Sequence, residues 1–292
     1  MFDFLQAVID GVLFGTTYSL IGIGFTLVFG VMKKINMSYA AASIGAAYVG
    51  LLAGGLLSAS SPWAVFGCSV LAGGFFGWLV YLICFHLIPI KNENATLMST
   101  VGMLLLSDEL ISHFTTGAPQ NYPSVVEGEM IKFGELSLRS DLIFVFAVSV
   151  ISTAALLALL YRTRLGLATR AVAQQPVAAQ LCGIRVAHVN AITFVVTGLL
   201  GGIAGALVCS AVGTLSILIT GPLTVKGLIV TVIGGLGSVP GAIVAGLLVG
   251  AMENIFQHFR GVTERDLYVM LLLFAFLIFR PGGIFAKGAG RD

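Results

Sequence analysis

Few side chains in this chain of 292 residues could do chemistry, and most of them sit in apolar surroundings. Asp108 and Glu109 fall in the outer half of an apolar run at 95–114, with His113 about a turn further on. Such a set could relay protons, as an ion-coupled carrier requires. Adjacent helical residues point about 100° apart, however, so at most one carboxylate faces a given cavity. An outer vestibule that keeps the pair partly wet is the reading favoured here. Asp10, in the outer part of the first apolar run, is a candidate partner for Lys226. Glu253 and His258 lie near the outer end of a run and are expected at the interface, as is His86 at an inner end. Cys68, Cys84, Cys182 and Cys209 are scattered without a C-x-x-C pair and read as packing residues. No nucleophile–base–orienter set and no metal-ligand spacing stands out, so no catalysis is assigned. A phosphate-binding loop needs G-x-x-x-x-G-K-[S/T], and no lysine meets it, Lys226 included. Energy for any uphill work must therefore come from a partner or an ion gradient.

Two other places suit a polar solute. Asn36, Ser38, Tyr39 and Ser43 cluster at the inner start of the second apolar run, where Asn36 could also cap a helix. Gly234, Gly235, Gly237 and Gly241, with Ser238 and Pro240, interrupt a later one. Interrupted helices expose backbone N–H groups and a positive dipole end able to receive a carboxylate. Gly235, Gly237, Ser238 and Asp108 therefore join the first cluster as candidate translocation-pathway residues. Tight helix packing is the competing account of the glycines.

The elements that must position these residues are membrane spans. Hydrophobic residues make up 58% of the chain and charged ones 10%, and the mean hydropathy is +1.02. A soluble domain of this size could not cover its surface with so little charge. The expected fold is an all-α, polytopic transmembrane bundle in a single domain over 1–292. Apolar stretches near 5–30, 37–56, 62–88, 95–114, 141–161, 190–210, 240–257 and 266–280 each approach the ~20 residues a span needs. The stretch 222–236 is short and glycine-rich, a shallow crossing or a re-entrant segment. That gives about eight to nine spans. A net charge of +2 is too small to suggest nucleic-acid binding, and Asp3 and Asp10 stand where a cleavable signal would be basic.

Basic residues set the orientation. With the loop 162–189 cytoplasmic, Lys33, Lys34, Lys91, Arg162, Arg164, Arg170, Arg185, Arg280, Lys287 and Arg291 all lie inside, ten of fifteen Lys and Arg. Lys132, Arg139, Arg260 and Arg265 lie outside. The N-terminus is then outside and the C-terminus inside, which requires an odd number of crossings. The periplasmic loop 115–140, with Glu127, Glu129 and Glu135 and punctuated by Pro119 and Pro123, is either a landing surface for an outside partner or a solvated connector. Ser38, Ala42, Val49 and Gly50 recur as Ser238, Ala242, Val249 and Gly250, a weak echo of a parallel repeat.

The loop 162–189 carries four arginines and no acid. Within it, Gln174-Gln175-Pro176 reads as a helix start and Gly183 as a stop. A short surface helix there could seat in a groove of another protein or lie on anionic membrane lipid. Its residues carry a resemblance. Ala178-Ala179-x-x-x-Gly183 resembles the core of the Glu-Ala-Ala-x-x-x-Gly motif of ATP-binding cassette (ABC) importer permeases, with Val177 at the glutamate position. Ile35-Asn36 with Tyr48 resembles the second-span motif of the branched-chain amino acid permeases of the LivH type, although Met37, Ser38, Tyr39 and Ala40 depart from it. Gly234 to Ala242 resembles that family's glycine-rich turn, and Arg280-Pro281-Gly282-Gly283-Ile284 its C-terminal ending.

The resemblance implies an inner-membrane permease for branched-chain or other small apolar amino acids, not an enzyme. It would pair with a second permease, of the related LivM type or a copy of itself. It would also work with a periplasmic solute-binding protein and two cytoplasmic ATPase subunits, which bind the ATP and Mg while this chain holds no cofactor. Pro176, Ala178, Ala179 and Gly183, flanked by Arg170 and Arg185, would then couple the chain to the ATPases. Relatives of this type extend to urea, short amides and aromatic acids, and an ion-coupled secondary transporter is the rival outside the family.

Overall fold

The computed structural model describes residues 2–56, 61–88, 93–126, 130–133, 136–261, 264–280 and 282–285. Lys91, Glu127, Gly128, Glu129, Glu135, Pro281, Lys287 and Arg291 lie outside the described residues. Among the described residues, eleven α-helices follow in order: α1 (Phe2–Met32), α2 (Tyr39–Leu56), α3 (Pro62–Val80), α4 (Glu93–Thr115), α5 (Ser140–Arg162), α6 (Arg164–Gln174), α7 (Pro176–Leu181), α8 (Val186–Val212), α9 (Thr220–Gly234), α10 (Val239–Arg260) and α11 (Arg265–Phe279). Hydrocarbon offers the backbone no hydrogen-bond partners, so these apolar runs satisfy their own N–H and C=O groups as helices.

Among the described residues, seven helical stretches are long and apolar enough to cross a membrane. Tyr39–Gly55 and Asp266–Phe279 are shorter apolar helices. The stretch expected to be shallow or re-entrant gains length from a 3₁₀ turn, Ile217–Ile219, which runs into α9 and makes Ile217–Gly234 long enough to cross.

Two ends of the bundle emerge. At one, β1 (Gln120–Asn121) pairs antiparallel with β4 (Thr214–Leu215), and β2 (Met130–Phe133) with β3 (Leu136–Arg139). These short strands are an addition to the expected all-helical chain. The β1–β4 pair ties residues 120–121 to the segment that follows α8. Gln6 donates to the Ser137 carbonyl at 2.7 Å, and the buried Tyr122 lies 3.1 Å, hydroxyl to hydroxyl, from Ser69. Burial pushes the Tyr122 phenol up to about 12. At the other end lie Lys33, α6, the turn between α9 and α10, and residues 282–285.

The core is built on close backbone approach. α1 packs most extensively against α10. A methyl group on Gly11 would lie 2.7 Å from the Gly250 carbonyl oxygen, and one on Gly15 2.8 Å from that of Gly246. Gly11, Gly15, Gly246 and Gly250 are thus a small-xxx-small seam, four residues apart on each helix. α3 and α8 meet through a second such seam at Gly73, Gly77, Gly198 and Gly202. Ser69 and Thr197 lie buried on α3 and α8, and Thr231 lies buried between α9 and α1, with hydroxyls bonded to carbonyls one turn back, which removes the penalty of an unpaired donor.

A buried ion network ties four helices. Lys226 of α9 is 6% exposed and Glu253 of α10 is 4% exposed. The Lys226 Nζ lies 2.7 Å from Glu253 Oε1 and 3.0 Å from Asp266 Oδ1 of α11, and donates to the Tyr18 hydroxyl of α1 at 3.4 Å. This corrects two expectations. Lys226 pairs with Glu253 and Asp266, not Asp10, because α9 packs against both α10 and α11. Glu253 is a core residue held by a cation, not an interfacial one, whereas His258 is exposed as expected.

Lys226→Met leaves two carboxylates without their cation and is expected to lower stability by about 3–5 kcal/mol. Lys226→Met combined with Glu253→Leu should recover much of that loss. Thermal unfolding of the detergent-solubilised protein measures both, and equal losses in the single and double variants would refute the pairing. Gly250→Leu should cost about 1–3 kcal/mol by forcing α1 off α10. In the same assay Gly67→Ala should cost nothing, since no atom lies within 4 Å of the added methyl.

Candidate translocation and coupling site

The loop 162–189 folds into two helices where one was expected. Thr163 caps α6, its hydroxyl accepting from the Gly166 amide at 3.1 Å. Gly166, Thr169 and Val172 form the buried stripe of α6, while Arg164, Leu167 and Arg170 face outward. The signals for α6 were a threonine cap and a three-residue apolar period, both overshadowed by the proline that follows. Pro176 then opens α7 at its first position. Gly183 closes it in the left-handed region at φ +83°, with the Ile184 amide donating to the Ala179 carbonyl at 3.0 Å. That 6→1 bond with a left-handed glycine is the geometry of a Schellman stop.

α7 has one seated face and one bare face. Ala179 is buried against the bundle, while Pro176, Ala178 and Cys182 are exposed, Val177 is 68% exposed and Leu181 85%. Apolar side chains bared together among arginines mark a surface built for contact. Arg170 stacks over the Tyr161 ring at 5.1 Å, and Arg185 precedes α8.

Behind α6 lies a cavity of about 650 Å³. Thr169 and Arg170 of α6, Gly237 and Ser238 of the turn before α10, and Lys33 and Thr26 all line it. Ser238 caps α10 by accepting from the Gly241 amide at 3.2 Å. Gly235 and Gly237 hold φ of +97° and +87°, which favours glycine. The C-terminal segment hooks onto this turn: a methyl on Gly283 would sit 2.5 Å from the Gly235 Cα, and the Ile284 amide donates to the Ile233 carbonyl at 2.8 Å. The interruption is thus a glycine turn between α9 and α10, backed by residues 283–284.

Asn36, Ser38, Tyr39 and Ser43 come together, but closed. Ser38 donates through its hydroxyl to Asn36 Oδ1 at 2.8 Å, Ser43 to the Tyr39 carbonyl at 2.9 Å, and Tyr39 to the Thr197 carbonyl at 3.1 Å. Asn36, Tyr39 and Ser43 line a void of about 10 Å³, room for about one water. Asp108 is elsewhere, on α4, which has the smallest buried share of the seven long helices. It faces Thr220. Neither Asp108 Oδ1 nor Thr220 Oγ1 has a hydrogen-bond partner among the described residues. Beside Asp108, Leu105, Leu106, Glu109, Leu110 and Phe114 are exposed.

Comparison with known proteins identifies the family and the fold. The chain matches the family described as the permease component of branched-chain amino acid transport systems over residues 7–279. It is 28% identical to the high-affinity branched-chain amino acid transport permease BraD of Pseudomonas aeruginosa over 299 residues, covering 98% of this chain and 97% of that one. It is 27% identical to LivH of Escherichia coli over 297 residues, covering 97% and 96%. A putative metal-chelate type ABC transporter solved in an inward-facing conformation shares the fold, with a TM-score of 0.53 at 17% identity over 94% of this chain and 85% of that one. The family consists of permease components of transport systems, which implies partnership with other components, and it is not one of enzymes. A multi-pass protein of the inner membrane, this chain belongs to the family of branched-chain amino acid transport permease components.

Proposed function

We propose that this chain moves branched-chain or other small apolar amino acids inward, driven by ATP hydrolysed on two partner ATPase subunits that hold the ATP and Mg. A second permease, related or identical, and a periplasmic binding protein complete the assembly. The observation that carries the coupling is the bare apolar face of α7, set on a helix anchored from behind by Ala179. In this reading Pro176, Ala178, Ala179 and Gly183 form the docking helix, and Arg170 and Arg185 flank it.

Only Gln175 separates α7 from α6. Displacement of α7 therefore reaches α6, whose Thr169 and Arg170 share a cavity with Gly237 and Ser238. The turn at Gly235 and Gly237 passes that displacement to α9, which moves against the α1–α10 pair. The solute passes along α4 at the contact with the second permease, where Asp108 offers an unpaired polar atom; the cluster of Asn36, Ser38, Tyr39 and Ser43 opens only when the Tyr39–Thr197 bond breaks. A path must bind weakly enough to release its cargo, so selectivity rests largely with the periplasmic partner. The end bearing Lys33 and α6 is the cytoplasmic one by the distribution of basic residues, and residues 1–292 act as one domain.

Two measurements test this reading. The Cβ of Gly183→Trp meets no atom within 4 Å, and the substitution costs about 1–2 kcal/mol for an occupied left-handed position. The variant is expected to insert and fold, yet to lose at least tenfold in ATP-dependent leucine uptake by proteoliposomes while hydrolysis continues. Undiminished uptake refutes the docking role. Cys182 is the exposed native cysteine, so a membrane-impermeant maleimide should label it in inside-out vesicles and not in right-side-out ones. The reverse pattern would overturn the orientation.

A further inference from the structure

A second cavity, of about 500 Å³, opens between the inner end of α3 and the start of α8, apart from the glycine turn and from α4. We infer that this groove binds an anionic phospholipid of the leaflet on the coupling-loop side. Its shape comes from a local departure in the helix. α3 continues as a π-helical segment, Tyr81–His86, a rare geometry that is frequent at functional sites. The Tyr81 hydroxyl donates to the Ala187 carbonyl at 2.9 Å, fixing one wall to the other.

The groove is divided by chemistry along its length. Arg185, His86 and His188 line its polar end, and Trp78, Leu82 and Ala191 its apolar side. No carboxylate lines it among the described residues. The apolar side continues outward along α3 as an exposed strip: Trp78 is 42% exposed, Phe75 58% and Leu71 72%, at helical spacing. Tryptophan at the boundary between an apolar strip and basic residues is the pattern of a membrane interface. A phosphodiester at Arg185 with acyl chains laid along Trp78, Phe75 and Leu71 matches both halves. Inorganic phosphate would fill only a small part of this volume and leave the apolar strip unexplained. Of α7 only Gln180 borders the groove, and the strip runs along α3, away from the exposed Val177 and Leu181 that a protein partner would cover.

The test uses the complete transporter, purified in detergent and examined by native mass spectrometry with added phosphatidylglycerol or phosphatidylethanolamine. Wild type should retain phosphatidylglycerol in preference. Arg185→Gln should lower that preference about fivefold, the worth of one basic residue at a lipid surface. His86→Gln with His188→Gln should lower it too, and carries the test if Arg185→Gln fails to assemble. Ile151→Ala, on the exposed face of α5, should leave it unchanged. Equal retention of the two lipids by wild type, displacement of the lipid by millimolar inorganic phosphate, or loss of the ATPase subunits from the double histidine variant would each overturn the proposal.

Discussion

Everything in this structure rests on helices that must hold together in a solvent as apolar as their own side chains. With no hydrophobic drive between them, close backbone contact takes over. The α1–α10 seam at Gly11, Gly15, Gly246 and Gly250, and the α3–α8 seam at Gly73, Gly77, Gly198 and Gly202, supply that contact. Side chains there would hold the backbones apart, so the seams admit no sliding without loss of packing. They make a stiff frame, and what moves must lie outside it.

Three elements do. α4 sits on the rim, α7 is held through a few buried atoms, and the α9–α10 connection is a glycine turn backed by the C-terminal hook. The ion network of Lys226, Glu253, Asp266 and Tyr18 works the other way, pinning the peripheral α11 to the frame. A cation placed at membrane depth is tolerated because two carboxylates and a hydroxyl surround it. Asp108 and Thr220 lack such mutual satisfaction, which sets the face of α4 apart from the packed interior.

Much of this was legible in the chain itself. Long apolar runs announced the spans, and proline before and glycine after residues 177–181 bracketed α7, because those signals act through local backbone sterics. Glu253 was misread because its partner lies 27 residues away on another helix, and no local pattern reports a cation supplied across an interface. The polar cluster at Asn36 to Ser43 had the right composition for a solute site, yet its hydroxyls are spent on neighbouring carbonyls. Residue type reveals hydrogen-bonding capacity; only packing reveals whether that capacity is free. α6 went unseen for a similar reason: its amphipathic stripe is short, and its burial depends on α5 and α8 lying beneath it.

The central mechanical claim is that force enters through α7 from a separate nucleotide-hydrolysing subunit. The most direct measurement is accumulation of labelled leucine against its gradient in proteoliposomes, with the binding protein and both permeases present, comparing vesicles with and without the ATPase subunits under an ionophore. The account predicts accumulation only where the ATPases and ATP are present, undiminished by the ionophore. Accumulation without the ATPases, or its collapse when the ion gradient is dissipated, would contradict it.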